Sequence, residues 1–373
     1  MRVGVITFSN SKDNYGQMLQ IYAMQQFIKK QGHECYLIRY QDTLKEGAAF
    51  KWCKIFIYLL KFPKYLSWYI GQKKEQKAQS AYVQRSGNEL RRFDNFLHDN
   101  VEVTEQIFNE KSIVKNPPQA DAYICGSDQI WCGDWAYYLN FAPERSIKIA
   151  YAPSMGGITT FVPKYEAEMR RLIKRLDFIG MREQSGVDVC HHLGRKDAVK
   201  VVDPTLLLNK EDFNHIRIPI KKNKPYIYLY LLGNPIKQET KEFYDYAESK
   251  GLDIIYVASQ GKNDSYNKFP AQIGEWIDLL ADAEIVITNS FHCTVFSLLY
   301  QKKFITIPLC NGYERMNTRI FELLKEVKLE DQILYGELKS MPLNIAFDDF
   351  CEYQKREVKR STEYFSNILS PLR

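Results

Sequence analysis

RVGVITFSNSKDNYGQMLQIYAMQQFIKKQGHECYLIRY, residues 2–40, reads as a strand, a helix and a second strand. The run at 2–8 is apolar, Leu19, Ala23 and Phe27 recur every four residues as the stripe of a helix from about Tyr15 to Lys30, and Gly32 stops that helix before Cys35 to Tyr40. A striped helix between two apolar strands needs a sheet face to lie on, which predicts a crossover in a parallel sheet. Short apolar runs at Ala122-Cys125, Ile147-Ala152, Phe178-Met181 and Val199-Val202 continue the alternation and predict a doubly wound sheet.

A second α/β series follows Asp203-Pro204 and the charged, Pro-punctuated stretch from Asn209 to Pro225. Its predicted elements are a strand at Tyr226 to Leu232, a helix near Gln238 to Lys250, a strand at Leu252 to Ala258, a helix near Gly274 to Ala281, a strand at Glu284 to Thr288, a helix after His292 and a strand at Phe304 to Pro308. The pattern predicts an α/β chain of two Rossmann-like domains in a GT-B-like arrangement with a cleft between them. The expected boundaries are 1–208, carrying a helical insertion at about 50–100, then 209–345, then a terminal helix at 346–373 that returns to the first domain.

Length supports two cores, since 373 residues exceed what one core comfortably fills. The 51 basic residues are interleaved with 45 acidic ones, so no basic run marks a nucleic-acid partner. Eight cysteines form no CxxC pair and several sit in apolar strands, where a thiol packs as a small hydrophobe and a reducing compartment is expected. Met1-Arg2 leads straight into strand, which leaves no room for a signal peptide, and no apolar run reaches the roughly 20 residues of a membrane span. The expected location is cytoplasmic. Residues 50–77 mix Trp52, Phe56, Tyr58, Phe62, Tyr65 and Trp68 with lysines. That stretch reads either as a peripheral contact with the inner face of an anionic membrane or as a packed helical insertion, the second being the simpler.

Four segments place polar groups at strand ends. In Ile285 to Phe296 a buried strand runs through Thr288, Asn289 and Ser290 into a helix carrying His292, where free N–H groups favour phosphate or carboxylate. After Asp121 to Cys125 come Gly126, Ser127, Asp128 and Gln129, and Asp128 reads either as a base for a sugar hydroxyl or, with Ser127, as a helix cap. Arg182 follows the strand Phe178 to Met181 and reads either as a bidentate anion clamp or as the partner of Glu183 or another acid. Arg319 follows Phe304 to Pro308 toward the same cleft, while Arg315 reads as exposed. Asn14 and Gly16 stand where the first strand meets the first helix, Gly16 permitting close backbone approach to a ligand. No GxGxxG or GxxxxGK[ST] is present, and Cys190-His191-His192 lacks the spacing and partner motif of a metal site, so neither a nucleotide cofactor nor a metal is expected.

These blocks together resemble the polysaccharide pyruvyl transferase family. The resemblance rests on Asn14 to Met24 (NYGQMLQIYAM), Gly126 to Trp131 (GSDQIW), Arg182 to Ser185 (REQS), Val201 to Thr205 (VVDPT) and Thr288 to His292 (TNSFH), in order along most of the chain. It implies a cytoplasmic transferase of exopolysaccharide or capsule biosynthesis. The donor would be phosphoenolpyruvate on the 209–345 side. The acceptor would be a hexose of a surface glycan or its lipid-linked precursor on the 1–208 side, receiving a cyclic pyruvate ketal. On that reading His292 is the acid or phosphate-side catalyst and Asp128 the candidate base. Arg182, Arg319, Ser290, Asn289, Asn14, Gly16, Ser127 and Gln129 line the substrates, with no metal and no separate cofactor. The chain departs from many relatives at Ser290, where they carry arginine. Two other readings fit a cleft of this kind: a GT-B glycosyltransferase using a nucleotide sugar, and a non-catalytic sugar-binding subunit.

Overall fold

A computed structural model describes residues 1–41, 88–132 and 134–369. The stretch 50–77 lies outside them, as does the expected insertion up to residue 87.

Two all-parallel sheets account for the strands. The first has the order β2-β1-β3-β4-β5-β6, from β1 (Arg2–Ile6), β2 (Glu34–Leu37), β3 (Ala122–Cys125), β4 (Ile147–Tyr151), β5 (Phe178–Met181) and β6 (Val199–Lys200). The second has the order β10-β9-β7-β8, from β7 (Tyr226–Leu232), β8 (Asp253–Ser259), β9 (Ile285–Thr288) and β10 (Lys303–Thr306). Strands such as Ala-Tyr-Ile-Cys and Ile-Val-Ile-Thr are buried at every position, because helices cover both faces of a parallel sheet. The buried Cys35 and Cys125 belong to this packing, and burial pushes each thiol up to about 12, which keeps it an inert hydrophobe.

The strand order reverses between β1 and β3 in the first sheet and between β7 and β9 in the second. Open α/β sheets bind ligands outside the carboxyl ends of the strands at such reversals. Helix α1 (Tyr15–Lys30) follows β1, is capped by Asn14 and is buried on nearly all sides, because it is wedged between the two halves. Its first residue, Tyr15, donates its hydroxyl to Ala271 O at 2.6 Å and stacks on Trp276 of the second half at 5.7 Å. Just before it, Asp13 accepts Gln260 N on Oδ2 at 2.8 Å and the Ser259 hydroxyl on its carbonyl at 2.5 Å. One apolar cluster therefore runs from α1 through Trp276 and Phe296, and the halves meet along a packed seam.

The terminal helix α2 (Asp348–Ile368) lies on the first half: Phe365 packs on Phe27 and Tyr151, and Gln354 Nε2 donates to Leu206 O and Leu208 O. Among the described residues no helix is long and apolar enough to cross a membrane, and no cluster of His, Cys, Asp and Glu is arranged to hold a metal.

Candidate functional site

Both reversal points face the seam, and the polar residues of the four sequence segments gather there. On the first half, β3 ends in Gly126, whose φ of +123° and distance of 2.0 Å from an added Cβ to Tyr151 O leave glycine as the residue that fits. The turn sends Ser127 into the interior, where its carbonyl accepts the Thr7 hydroxyl at 2.7 Å and its N–H meets Gln20 Oε1 at 3.1 Å. The Ser127 hydroxyl donates to Asp203 Oδ2 at 2.9 Å.

Asp203 is the hub. It stands in the segment after β6, fully buried, with Oδ1 accepting Thr205 N at 3.0 Å and Thr205 Oγ1 at 2.7 Å. Its Oδ2 also receives Arg182 Nη1 at 3.0 Å and lies 3.5 Å from His292 Nε2. Burial alone would push this carboxyl up, but His292, Arg182 and Thr205 together hold it far below the ordinary carboxylate range. The 3.5 Å contact is an ion-pair distance, longer than a formed hydrogen bond, and Nε2 has no other partner among the described residues.

Arg182, at the end of β5, is buried. Burial works against its charge, and Glu183 and Asp203 more than offset that, so its pKa rises. Nη1 is spent on Asp203 and Ser127, while Nε and Nη2 are buried without a hydrogen-bond partner among the described residues. The unspent pair is the edge through which a guanidinium grips a carboxylate or phosphate with two parallel bonds. Arg319 approaches from helix α3 (Thr318–Glu326) of the second half. Its Nε also lacks a hydrogen-bond partner among the described residues, and burial, then the like charge of Arg182, lowers its pKa to about 10, so it is still cationic at neutral pH. The two guanidinium carbons lie 5.2 and 5.5 Å from the ring centre of Phe291. Glu183 sits between them with Oε1 3.8 Å from Arg182 Nε and 3.9 Å from Arg319 Nε, accepts the Ser154 hydroxyl, and has Oε2 without a hydrogen-bond partner among the described residues. The space lined by Arg182, Asp203, Phe291 and Arg319 has a volume of about 20 Å³, enough for one water.

His292 is the second residue of helix α4 (Phe291–Leu299), whose cap is Ser290. Its ring lies on Gly16 of α1: a Cβ there would stand 2.1 Å from Nδ1, 2.4 Å from Cγ and 2.8 Å from Cβ of the histidine. The close approach that Gly16 permits is to this imidazole, which revises its expected ligand role.

Other expected substrate contacts are spent on backbone. Asn289 joins β9 to β7 by accepting Leu232 N at 2.7 Å and donating to Leu232 O at 3.2 Å. Ser290 Oγ accepts Cys293 N at 3.4 Å, and Asn14 Oδ1 accepts Gln17 N at 3.2 Å. Asp128 adopts a φ of +77° and turns Oδ1 onto the N–H of Gln129, which is half-buried beside it. Of the two readings of Arg182 the structure shows the pairing with an acid, and the residue keeps an unspent edge. Of the residues the sequence reading passed over, Asp203, Glu183 and Phe291 matter most; Asp203 directly before Pro204 at a strand end was the available signal.

These side chains fit the binding of a small anion between two cations from opposite halves, next to an imidazole. No curated protein matches the chain. Solved structures similar to it include a UDP-GlcNAc 2-epimerase from Methanocaldococcus jannaschii, 13% identical over 97% of this chain and 100% of that one, with a TM-score of 0.50. Another is a UDP-N-acetylglucosamine 2-epimerase from Rickettsia bellii, 11% identical over 99% of each chain, with a TM-score of 0.43. At such identities the first likeness is one of fold, two Rossmann-like halves of GT-B type. The model of the polysaccharide pyruvyl transferase family matches residues 14–311, which takes in Gly16, Ser127, Arg182, Asp203 and His292 and stops short of Arg319. The chain is a member of the polysaccharide pyruvyl transferase family.

Proposed function

We propose that the protein moves the pyruvyl group of phosphoenolpyruvate onto two hydroxyls of one hexose in a surface polysaccharide or its lipid-linked precursor, forming a cyclic ketal and releasing phosphate. The observation that supports this reading is the unspent Nε and Nη2 edge of Arg182 with the Arg319 guanidinium on the same Phe291 ring. Phosphoenolpyruvate carries a carboxylate and a phosphate, two groups that two guanidiniums from opposite halves suit.

The reaction needs a proton on the enol methylene while a sugar oxygen bonds to the adjacent carbon. A second sugar oxygen then displaces phosphate from that carbon. Of the two hydroxyl protons, one ends on the new methyl group and the other on phosphate, so the balance closes without an oxidant. His292 supplies the first proton. Asp128, half-buried at the carboxyl end of β3, is the base candidate for the sugar hydroxyl. The space beside Phe291 is smaller than phosphoenolpyruvate, so on this reading the donor is admitted as the halves part and enclosed as they shut.

The test combines calorimetric titration of phosphoenolpyruvate against a panel of nucleotide sugars with mass spectrometry of candidate glycans after incubation. Phosphoenolpyruvate binding and one added pyruvate ketal are the expected results. Binding of a nucleotide sugar alone, with no ketal on any glycan, overturns the proposal.

A further inference from the structure

The imidazole and the carboxylate nearest to it come from different halves. His292 belongs to α4 of the second half, and Asp203 follows β6 of the first. Asp203 is held within its own half by the Thr205 N–H and hydroxyl, the Ser127 hydroxyl and Arg182 Nη1, so it does not need the histidine to stay in place. The other flank of the ring rests on Gly16, again of the first half. The second half thus carries an imidazole whose carboxylate partner and Gly16 seat are built on the first, with Phe291 of its own half flanking the ring at 5.2 Å.

We infer that Asp203 is the positioning residue for His292, and that the pair is completed by closure of the two halves. The inference rests on the pyruvyl-transfer reading for its reaction and adds a device to it. With Nε2 turned to Asp203 Oδ2, Nδ1 beside Gly16 is the nitrogen that serves the substrate. The Nδ1–H bond breaks as the proton goes to the methylene carbon of the enol. The ring is left neutral with Nε2–H toward Asp203, and the hydroxyl proton first taken by Asp128 is returned to it before the next turnover. With the halves parted the ring has neither carboxylate nor seat, so an enol bound before closure is not protonated and is not lost to water as free pyruvate. Orientation of a proton donor to this standard is worth on the order of 100-fold in rate.

The test is Asp203→Asn in the full chain, read as phosphate release from phosphoenolpyruvate with acceptor and as calorimetric donor affinity. The expected result is a fall of about 100-fold in kcat with donor affinity within about threefold of wild type. Since Asp203 also anchors Arg182, Thr205→Val provides a gentler variant that loosens only Oδ1, with the same split expected at about tenfold. A substrate-free measurement completes the set: a slowly exchanging imidazole N–H proton assigned to His292 in the wild-type spectrum and absent from Asp203→Asn. Unchanged kcat in both variants, or donor affinity falling in step with kcat, overturns the inference. If the wild type neither binds nor consumes phosphoenolpyruvate, the pyruvyl-transfer reading fails, and the imidazole resonance alone then decides for or against the Asp203–His292 pair.

Discussion

Replacing Gly16 with alanine tests the site through one methyl group. The new Cβ would lie 2.1 Å from His292 Nδ1, and ordinary contact begins near 3.4 Å, so the ring edge must retreat by about 1.3 Å. Rotation about the side-chain bonds does not remove the conflict, because Cβ of His292 is itself only 2.8 Å away and moves only with helix α4. Alanine inside a helix gains about 0.5–1 kcal/mol over glycine. Overpacking a buried contact costs about 1–3 kcal/mol. The net expectation is a loss of about 1–2 kcal/mol in stability, small for a chain of this size. The kinetic effect is larger, since a displacement of about 1 Å at a proton donor is worth on the order of 100-fold in rate. Phosphate release with phosphoenolpyruvate and acceptor, together with denaturant unfolding, reads both numbers. His292→Ala removes the two nearest contacts, so in that background Gly16→Ala loses most of its stability cost, a coupling of more than about 1 kcal/mol. Turnover within about twofold of wild type, with stability unchanged or raised, would refute the seating of the imidazole on Gly16.

Arg182→Ala is expected to cost about 3 kcal/mol, because Asp203 would remain buried with its main charged partner gone; calorimetric unfolding checks this, and donor binding should vanish even in the folded fraction. Asn289→Ala strips both bonds from the Leu232 backbone and should lower stability by about 3 kcal/mol while leaving donor affinity per folded molecule unchanged, which a ligand contact would not do. Acid unfolding carries a signature of Asp203. Its folded pKa is depressed, so its contribution is fully present above the unfolded value of about 3.9 and is lost as pH falls from there toward the folded value. The stability difference between wild type and Asp203→Asn should therefore hold from neutral pH to about pH 4 and shrink below it, as followed by urea titration at each pH.

Much of this architecture was legible because parallel strands buried on both faces leave continuous apolar runs, and each run named above lies on a strand. Arg182 and His292 were legible for a related reason, since each is the first ionisable group after such a run. What the sequence did not disclose is which polar groups are already satisfied. Asn289 and His292 stand three residues apart beyond the same strand, yet one is hydrogen-bonded to Leu232 and the other lies 3.5 Å from a carboxylate across the seam. Glu183 reads as a simple neighbour of Arg182, and its position between two arginines from different halves is a tertiary fact. The pairing of Arg182 and Arg319 with Asp203 and Glu183 is likewise a tertiary fact, although a salt bridge to an acid is one of the two readings of Arg182.

The division of labour around the reversal points has a physical cause. Where strand order reverses, neighbouring strands lead their chains away in opposite directions, and backbone groups at the strand ends lose the partners a ladder would have given them. At β7 and β9 the amide of Asn289 supplies both missing bonds to Leu232, and at β1 and β3 the Thr7 hydroxyl reaches the Ser127 carbonyl. Residues directly at a reversal are thus drawn into repairing it. Groups two or three positions farther along, on the first turn of the following helix or at its approach, are released from that duty. His292 occupies such a position, while Arg182, directly after β5, and Arg319, on α3, stand away from both reversals; all three keep a nitrogen without a hydrogen-bond partner among the described residues. The cationic and imidazole groups of the second half, Arg319 and His292, thus meet carboxylates held by the first, Glu183 and Asp203, whereas Arg182 is matched within its own half.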